Sequence, residues 1–91
     1  MTLQQLEYIV AVDSYRHFVK ASATCFVTQA TLSTMIKKLE EELQIKIFDR
    51  SKQPVIPTEI GKQVIAQAKI VLQQANGIKA IIDEVKGEVK D

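Results

Sequence analysis

The segment from Ala21 to Leu43 most constrains the fold, because its pattern predicts two short helices around a tight turn. In the second helix, apolar residues recur at spacings of four, three and four and form one stripe: Leu32, Ile36, Leu39 and Leu43. Thr28 is a good N-cap for this helix, since its hydroxyl can accept from a backbone N–H one turn in. We therefore expect the rest of the chain to supply a small core beneath the stripe.

The side of this helix opposite the stripe is small, polar and cationic. It carries hydroxyl, amide and ammonium groups, on Gln29, Ala30, Ser33, Thr34, Lys37 and Lys38. Between Ser14 and Leu39 there are four Lys or Arg residues and no acidic residue. A helix that reads bases needs short donors and acceptors at the groove floor and cations at its walls. Three carboxylates at 40–42 would repel phosphate, so we expect only the N-terminal half of the helix to approach DNA.

Periodicity alone leaves a second interpretation open, namely an ordinary amphipathic helix with a solvated outer face. The preceding segments favour DNA binding. Thr2 and Gln5 form a capping box that opens a first helix through about Val12. A second helix spans roughly 18–25, and Val27 in the following turn is expected to fill the core. Three short helices with a near-perpendicular last pair are typical of a helix-turn-helix.

After Leu43 the sequence favours a short two-stranded hairpin, or wing. Its strands are predicted around 45–48 and 55–56, joined by a polar link at 51–54. Arg50 and Lys52 stand at the tip against a single Asp49, which is typical of a wing that contacts phosphates or the minor groove. The alternative is an ordinary exposed turn. Pro57 and Thr58 are expected to end the wing and cap the next helix.

The last helix carries a regular apolar repeat. Spacings of four and three alternate without a break along Val64, Ala68, Val71, Ala75, Ile78, Ile82, Val85 and Val89. Such a repeat predicts a coiled-coil seam and therefore a homodimer, since a chain of 91 residues has little other core to cover it. The alternative is a helix that folds back on its own domain. Gly77 and Gly87 weaken the helix locally.

Two recognition helices joined by one seam can enter successive major grooves about 34 Å apart, which suits an interrupted palindrome. The rival hypothesis is a coiled-coil dimeric winged-helix module that binds protein partners. An acid-free face without large apolar residues favours DNA over a protein partner.

Other features of the chain are compatible with a cytoplasmic DNA-binding protein. The net charge of +1 argues neither for nor against DNA binding, because clustering matters more than the total. No 18-residue apolar run or signal peptide occurs, so we expect a soluble protein without a membrane partner. The single cysteine, Cys25, is expected to be a packed side chain rather than a redox sensor. His17 is expected either to lie at the start of a helix or to contact a phosphate. We predict no enzyme activity, metal site or cofactor.

Four segments, in order and at the right separations, resemble the N-terminal DNA-binding region of the LysR-type transcriptional regulators. They are Phe26-Val27-Thr28-Gln29-Ala30-Thr31-Leu32-Ser33, Ile36-Lys37-Lys38-Leu39-Glu40-Glu41-Glu42-Leu43, Ile47-Phe48-Asp49-Arg50 and Pro57-Thr58-Glu59-Ile60-Gly61. Shorter strings, Leu6-Glu7-Tyr8, Arg16-His17-Phe18 and Cys25, resemble the hydrogen-peroxide-responsive activators of that family.

The resemblance implies roles for individual residues. It places Gln29, Thr31, Ser33 and Thr34 at bases or nearby phosphates, Lys37 and Lys38 at the backbone, and Arg50 and Lys52 in the wing, with Thr28 and Ala30 in the same interface. The sequence departs from the family at Ala30, usually proline, and at Thr34, often arginine. Gln44 replaces the glycine that commonly closes the recognition helix, so a left-handed cap there would be mildly strained.

Together these features predict a mainly α winged helix-turn-helix with a small two-stranded wing and a long C-terminal dimerisation helix. We expect a DNA-binding domain at 1–58 and a linker and dimerisation helix at 59–91. The resemblance also implies a larger effector-sensing domain beyond the linker helix, which has no counterpart in this sequence. The function predicted is a sequence-specific transcription regulator, with a role in the oxidative-stress response implied by the subgroup.

Overall fold

The computed structural model describes the backbone of residues 1–89 and the side chains of residues 1–87. Four helices and one two-stranded sheet follow in the order α1 (Leu3–Tyr15), α2 (Phe18–Thr24), α3 (Gln29–Leu43), β1 (Phe48–Asp49), β2 (Ile56–Pro57) and α4 (Glu59–Val89). The predicted fold class, a mainly α winged helix-turn-helix, is confirmed. The seam position predicted at Val89 lies outside the described side chains.

Helix α1 begins with the predicted capping box. The Thr2 hydroxyl accepts from the Gln5 backbone N–H at 3.1 Å, and the Gln5 side-chain oxygen accepts from the Thr2 N–H at 2.9 Å. The amide nitrogen of Gln5 then donates to the Met35 carbonyl of α3 at 3.1 Å, which ties the first helix to the third. The helix ends three residues later than predicted, because Arg16 adopts the left-handed region at φ 53° and terminates it.

Helices α2 and α3 form the helix-turn-helix. The His17 ring accepts from the Lys20 N–H at 3.3 Å, and the Thr28 hydroxyl accepts from the Thr31 N–H at 3.0 Å, so both predicted N-caps are present. Gln44 closes α3 in the left-handed region at φ 57°, as expected where the usual glycine is absent. The stripe of α3 forms the centre of the core with α1 and the segment before the wing, through Ile9, Val12, Leu32, Ile36, Leu39 and Ile47.

The wing is shorter than predicted. Strands β1 and β2 are antiparallel and two residues long, with Phe48 opposite Pro57 and Asp49 opposite Ile56. Ile47 lies in the core before the strand begins. Its N–H donates to the Glu40 side chain, and its carbonyl accepts from Thr58 N–H at 2.9 Å, so its backbone groups hold the wing to α3 and α4.

Helix α4 crosses the segment before the wing at very close range. The Thr58 hydroxyl accepts from the Gly61 N–H at 3.0 Å, which caps the helix. A Cβ at Gly61 would stand only 2.0 Å from the Ile47 carbonyl oxygen. Glycine is therefore required here by the closeness of the two backbones.

Only the first half of α4 lies on the domain. Ile65 and Ala68 are buried in the common core, and Val64, Val71 and Leu72 pack against it. At ~1.5 Å per residue, the helix then continues well beyond the domain, so that the molecule as a whole measures 54 Å along its longest axis. None of the helices within residues 1–89 is both long and apolar enough to span a membrane.

Candidate nucleic-acid interface

The outer side of α3 is accessible along its first three turns. Seven of the eight candidate residues on this helix and its cap are exposed, and Ser33 is half-buried: Thr28, Gln29, Ala30, Thr31, Ser33, Thr34, Lys37 and Lys38. The stripe on the opposite side is fully buried at Leu32, Ile36 and Leu39. We call these eight residues the reading face. The fold brings these residues together because they occupy one side of one helix.

The cap of α3 fixes one hydroxyl on the reading face. The Thr28 hydroxyl lies 3.0 Å from the Thr31 hydroxyl as well as from the Thr31 N–H. One capping side chain therefore orders two polar groups at the exposed start of the helix. Backbone N–H groups and partial positive charge at such a helix start suit an anionic partner such as phosphate.

Arg50 does not stand at the wing tip as a free cation. Its Nη1 donates to the Ser33 hydroxyl at 2.7 Å, and its Nη2 lies 3.4 Å from the Glu40 carboxylate. The guanidinium carbon is 4.8 Å from the centroid of the Phe18 ring, a cation–π contact. The side chain is only 26% exposed. Arg50 thus connects the wing to both helices of the helix-turn-helix.

Glu40 corrects the expectation that residues 40–42 present three carboxylates that would repel phosphate. Its carboxylate is buried and accepts from the Ile47 N–H at 2.7 Å and the Phe48 N–H at 3.3 Å, in addition to facing Arg50. It therefore anchors the wing to α3. Its sequence position, four residues after Ile36, could have shown that it borders the apolar stripe.

The other two acids behave as expected from the sequence. Glu41 and Glu42 are exposed beyond the reading face, and Glu42 pairs with the terminal ammonium of Met1 at 2.6 Å. The carboxylates that would oppose phosphate therefore lie in the last turns of α3.

Lys52 remains an exposed cation at the wing tip. Nearby, Asp49 accepts from the Ser51 hydroxyl at 2.5 Å and from the Ser51 N–H at 3.0 Å. These hydrogen bonds, with a smaller contribution from the Lys52 charge, lower the pKa of the Asp49 carboxyl. Asp49 therefore remains ionised at neutral pH and shapes the turn that presents Lys52.

A groove of about 380 Å³ separates the reading face from the wing. Cationic side chains from both sides line it, on Lys37, Lys46 and Arg50, and the carboxylates of Glu40 and Asp49 lie among them. Since Arg50 is already paired with Glu40, the cations of the groove that lie free of that pair are Lys37 and Lys46, both exposed. The two ammonium groups therefore remain accessible on the two sides of the groove.

The turn of the helix-turn-helix contains a feature that sequence reasoning missed. Val27 packs partly against the core, as expected, but Phe26 is 94% exposed at φ 58°. Cys25 beside it is half-buried, and burial, with a smaller contribution from the Glu7 charge, raises the pKa of its thiol. The thiol is therefore protonated at neutral pH and weakly nucleophilic. Within residues 1–89 no three His, Cys, Asp or Glu side chains are grouped to hold a metal ion.

The predicted dimer seam divides into two parts. Ala68 is almost fully buried by its own domain, and Val64 and Val71 are half-buried against it, so the alternative in which the helix folds back applies to these positions. Beyond Val71 the seam is more accessible, with Ala75 half-buried and Ile78, Ile82 and Val85 exposed. We call the set Ala75, Ile78, Ile82 and Val85 the open seam. Its pairing with a second chain stays a prediction.

Comparison with known proteins places the fold among regulators. Residues 3–62 match the family described as bacterial regulatory helix-turn-helix protein, lysR family. The chain is 37% identical over 84 residues to the DNA-binding transcriptional dual regulator OxyR of Escherichia coli, covering 92% of this chain and 28% of that protein. It is 40% identical over 79 residues to the hydrogen peroxide-inducible genes activator of Haemophilus influenzae, covering 87% of this chain and 26% of that protein. It therefore spans about a quarter of the length of these curated relatives.

Two solved structures have closely similar backbones. A full-length OxyR variant from Pseudomonas aeruginosa superposes with a TM-score of 0.87 at 46% identity, over 92% of this chain and 28% of that one. The BenM DNA-binding domain in complex with benA site 1 DNA superposes with a TM-score of 0.88 at 32% identity, over 93% of this chain and 96% of that one. The relatives named here are regulators rather than enzymes.

Proposed function

Because the chain belongs to the lysR family of bacterial regulatory helix-turn-helix proteins, we propose that it is the DNA-binding part of a transcription regulator. It binds an interrupted palindrome as a homodimer. The reading face of α3 enters the major groove, and Lys52 follows the backbone or the adjacent minor groove. Like other regulators that act on bacterial DNA, the protein works in the cytoplasm.

The observation that carries this proposal is the contrast between the two sides of α3. Leu32, Ile36 and Leu39 are fully buried, whereas the reading face is exposed and free of acidic side chains until Glu41. Short hydroxyl and amide groups occupy its first turns, and Lys37 and Lys38 follow. A major groove about 12 Å wide admits such a helix, with donors and acceptors at the base edges and cations at the phosphates.

The open seam supports the homodimer. Its isoleucines and valine lie beyond the domain, where they are about half exposed or more and no other element within residues 1–87 covers them. Burying these side chains against a second copy stabilises by roughly 1.5–3 kcal/mol for each that becomes fully covered. A fixed dimer links the two half-site interactions, so that binding of one helix raises the effective concentration of the other.

A role in the response to hydrogen peroxide is the finer part of the proposal. It is supported by the names of the relatives, which include hydrogen peroxide-inducible genes activators at 37–40% identity. The described residues of this chain offer no separate argument for the signal, since Cys25 is half-buried and its thiol pKa is raised.

Selection of DNA from a random library by the purified chain tests the function. We expect enrichment of a palindromic sequence with half-sites about one helical turn apart. Affinity for that site is expected to fall by roughly 10³–10⁵ between 50 and 200 mM salt if six to ten phosphates are contacted. No enrichment over the input library, together with salt-insensitive retention, would contradict the proposal.

A protein-interaction module is the second candidate, and one observation favours it. Phe26 is a large exposed apolar side chain beside an open groove that Tyr8, Tyr15, Cys25 and Leu72 help to line. A Phe26→Ser variant separates the two functions, because Phe26 lies outside the reading face. We expect unchanged DNA selection and affinity for this variant if the chain is a DNA-binding regulator.

A further inference from the structure

We propose that Arg50 is a positioning residue, which holds the Ser33 hydroxyl as a hydrogen-bond donor toward acceptor atoms on the base edges. It does not itself bind phosphate. This inference rests on the proposed function and deepens it, because it assigns the chemistry that one position of the reading face recognises. It also distinguishes Arg50 from Lys52, the other cation of the wing.

The direction of the hydrogen bond follows from the guanidinium group. Arginine carries five N–H donors and no acceptor, so in the 2.7 Å contact Arg50 Nη1 donates and Ser33 Oγ accepts. The Ser33 hydroxyl proton must then point away from Arg50. Among the described side chains, residues 1–87, no hydrogen bond uses this hydroxyl proton, whereas the hydroxyl of Ser22 donates to a backbone carbonyl at 2.7 Å. With one lone pair taken up by Arg50, the Ser33 hydroxyl keeps its proton and one further lone pair, and it is the proton that is directed away from Arg50.

Three contacts keep Arg50 in this place. Its second nitrogen faces the buried Glu40 carboxylate, and its guanidinium carbon lies 4.8 Å from the centroid of the Phe18 ring. Glu40 is fixed in turn by the N–H groups of Ile47 and Phe48. If Arg50 turned out toward phosphate, the Glu40 charge would stay buried with its cation removed, which is strongly unfavourable.

The chemistry of the contacted atom follows from the fixed donor. In the major groove the acceptors are guanine N7 and O6, adenine N7 and thymine O4, whereas cytosine presents only an amino donor. A hydroxyl whose proton is directed away from Arg50 favours a base acceptor over a base donor at that position, while a freely rotating hydroxyl adapts equally to either. Arg50 thus raises selectivity at one base without touching DNA.

The test is a double-mutant cycle on DNA binding. Dissociation constants are measured between 50 and 300 mM KCl for the wild type, Ser33→Ala, Arg50→Gln and the double variant. The two DNAs are the site selected by the wild type and a mixed-sequence duplex. We expect each single variant to lower the specificity ratio by roughly 5- to 10-fold per half-site. The double variant is expected to lose no more specificity than Ser33→Ala alone, because Arg50 acts through Ser33.

Lys52→Gln is the matched control for a phosphate contact in the same wing. We expect it to weaken binding to both DNAs alike. The slope of log affinity against log salt concentration should become shallower by about 1.8 for the dimer, since each lost phosphate contact contributes about 0.9. Arg50→Gln should leave that slope unchanged. If Arg50→Gln lowers the slope as Lys52→Gln does, or if its effect adds to that of Ser33→Ala, Arg50 is not a positioning residue.

Arg50→Lys separates charge from geometry. A lysine keeps the ion pair with Glu40 but cannot donate to Glu40 and Ser33 in the same fork, so we expect near wild-type thermal stability with the lowered specificity ratio. Restored specificity in Arg50→Lys would overturn the proposal. Should Arg50→Gln fail to fold, Arg50→Lys takes its place in the cycle with the same expectations.

Failure of the inference is distinguishable from failure of the proposed function. If the wild type selects no DNA, the regulator function is wrong and the inference falls with it. If the wild type binds its selected site but the cycle is additive, only the role of Arg50 is wrong.

Discussion

The two halves of α4 carry one continuous apolar repeat, but they differ in what covers it. In the first half, Ile65 and Ala68 are 3% and 2% exposed, beneath α1 and the wing. In the second half, Ile78 and Ile82 are 68% and 48% exposed beyond the end of the domain. The same helix is therefore part of a core at one end and an unpaired surface at the other.

This difference shows that a heptad pattern indicates which side chains favour burial. It does not identify the chain that buries them. The spacing of four and three is the same at Ala68 and at Ile82. What separates them is the distance along the helix from the last element that can fold over it. We therefore assign the first half of α4 to folding and the open seam to association.

The same substitution in each half gives the largest contrast. Ile65→Asp places an unpaired carboxylate in the core, and we expect it to lower the free energy of unfolding by at least about 4 kcal/mol, a large part of the stability of a small domain. Ile82→Asp should leave the domain folded but raise the dimer dissociation constant at least about 100-fold. Circular dichroism with urea titration measures the first effect, and sedimentation equilibrium the second.

Lys79→Asp is the control for the second half, because Lys79 is exposed on the same stretch of helix outside the open seam. It should leave the dissociation constant within about threefold of the wild type. A folded, dimeric Ile82→Asp protein would show that the open seam is not where two copies meet.

The sequence was sufficient for elements whose determinants are local. The capping box at Thr2 and Gln5, the caps at His17 and Thr28, and the stripe of α3 all depend on residues within one or two turns. Their side chains can be assigned from spacing alone, and the structure confirms them. The reading face follows from the stripe, since it is the side of α3 opposite it.

Features that depend on contacts between distant segments were not predictable in the same way. Arg50 reaches Ser33 and Glu40 across 17 and 10 residues of sequence, and spacing cannot show such a contact. Sequence reasoning therefore assigned Arg50 to the wing and counted Glu40 among three carboxylates that would repel phosphate, without pairing the two residues. Phe26 lies in the turn with a left-handed backbone and an exposed side chain, and neither feature can be assigned from the spacing of apolar residues.

Substituting alanine for two glycines of α4 gives a smaller contrast, in which the two changes in the free energy of unfolding have opposite signs. Gly61→Ala puts a methyl group within 2.0 Å of the Ile47 carbonyl oxygen, so the helix start must shift, and we expect a loss of about 1–3 kcal/mol. A methyl group at Gly77 meets nothing within 4 Å in the single chain, and Gly77→Ala should gain about 0.5–1 kcal/mol from helix propensity.

Thermal and urea unfolding at several protein concentrations measure both variants. A loss of stability at Gly77→Ala that grows with protein concentration would mean that the partner helix crosses close to this position. In that case the open seam would include a tight helix crossing at Gly77, between Ala75 and Ile78.

The smallest contrast concerns ion pairs that hold α4 to the domain. Lys69 Nζ lies 3.8 Å from Asp13 of α1, but Lys69 is more than half exposed, and Asp13 also pairs with Arg16 at 3.1 Å. Because Asp13 keeps a cationic partner without Lys69, we expect Lys69→Gln to cost no more than about 0.5 kcal/mol at low salt and nothing measurable at 0.5 M NaCl. Lys79→Gln in the second half is the matched control and should change stability at neither salt concentration. A loss above about 1 kcal/mol for Lys69→Gln at low salt that disappears at 0.5 M NaCl would show that charge contributes more than expected to holding the first half of α4 to its domain.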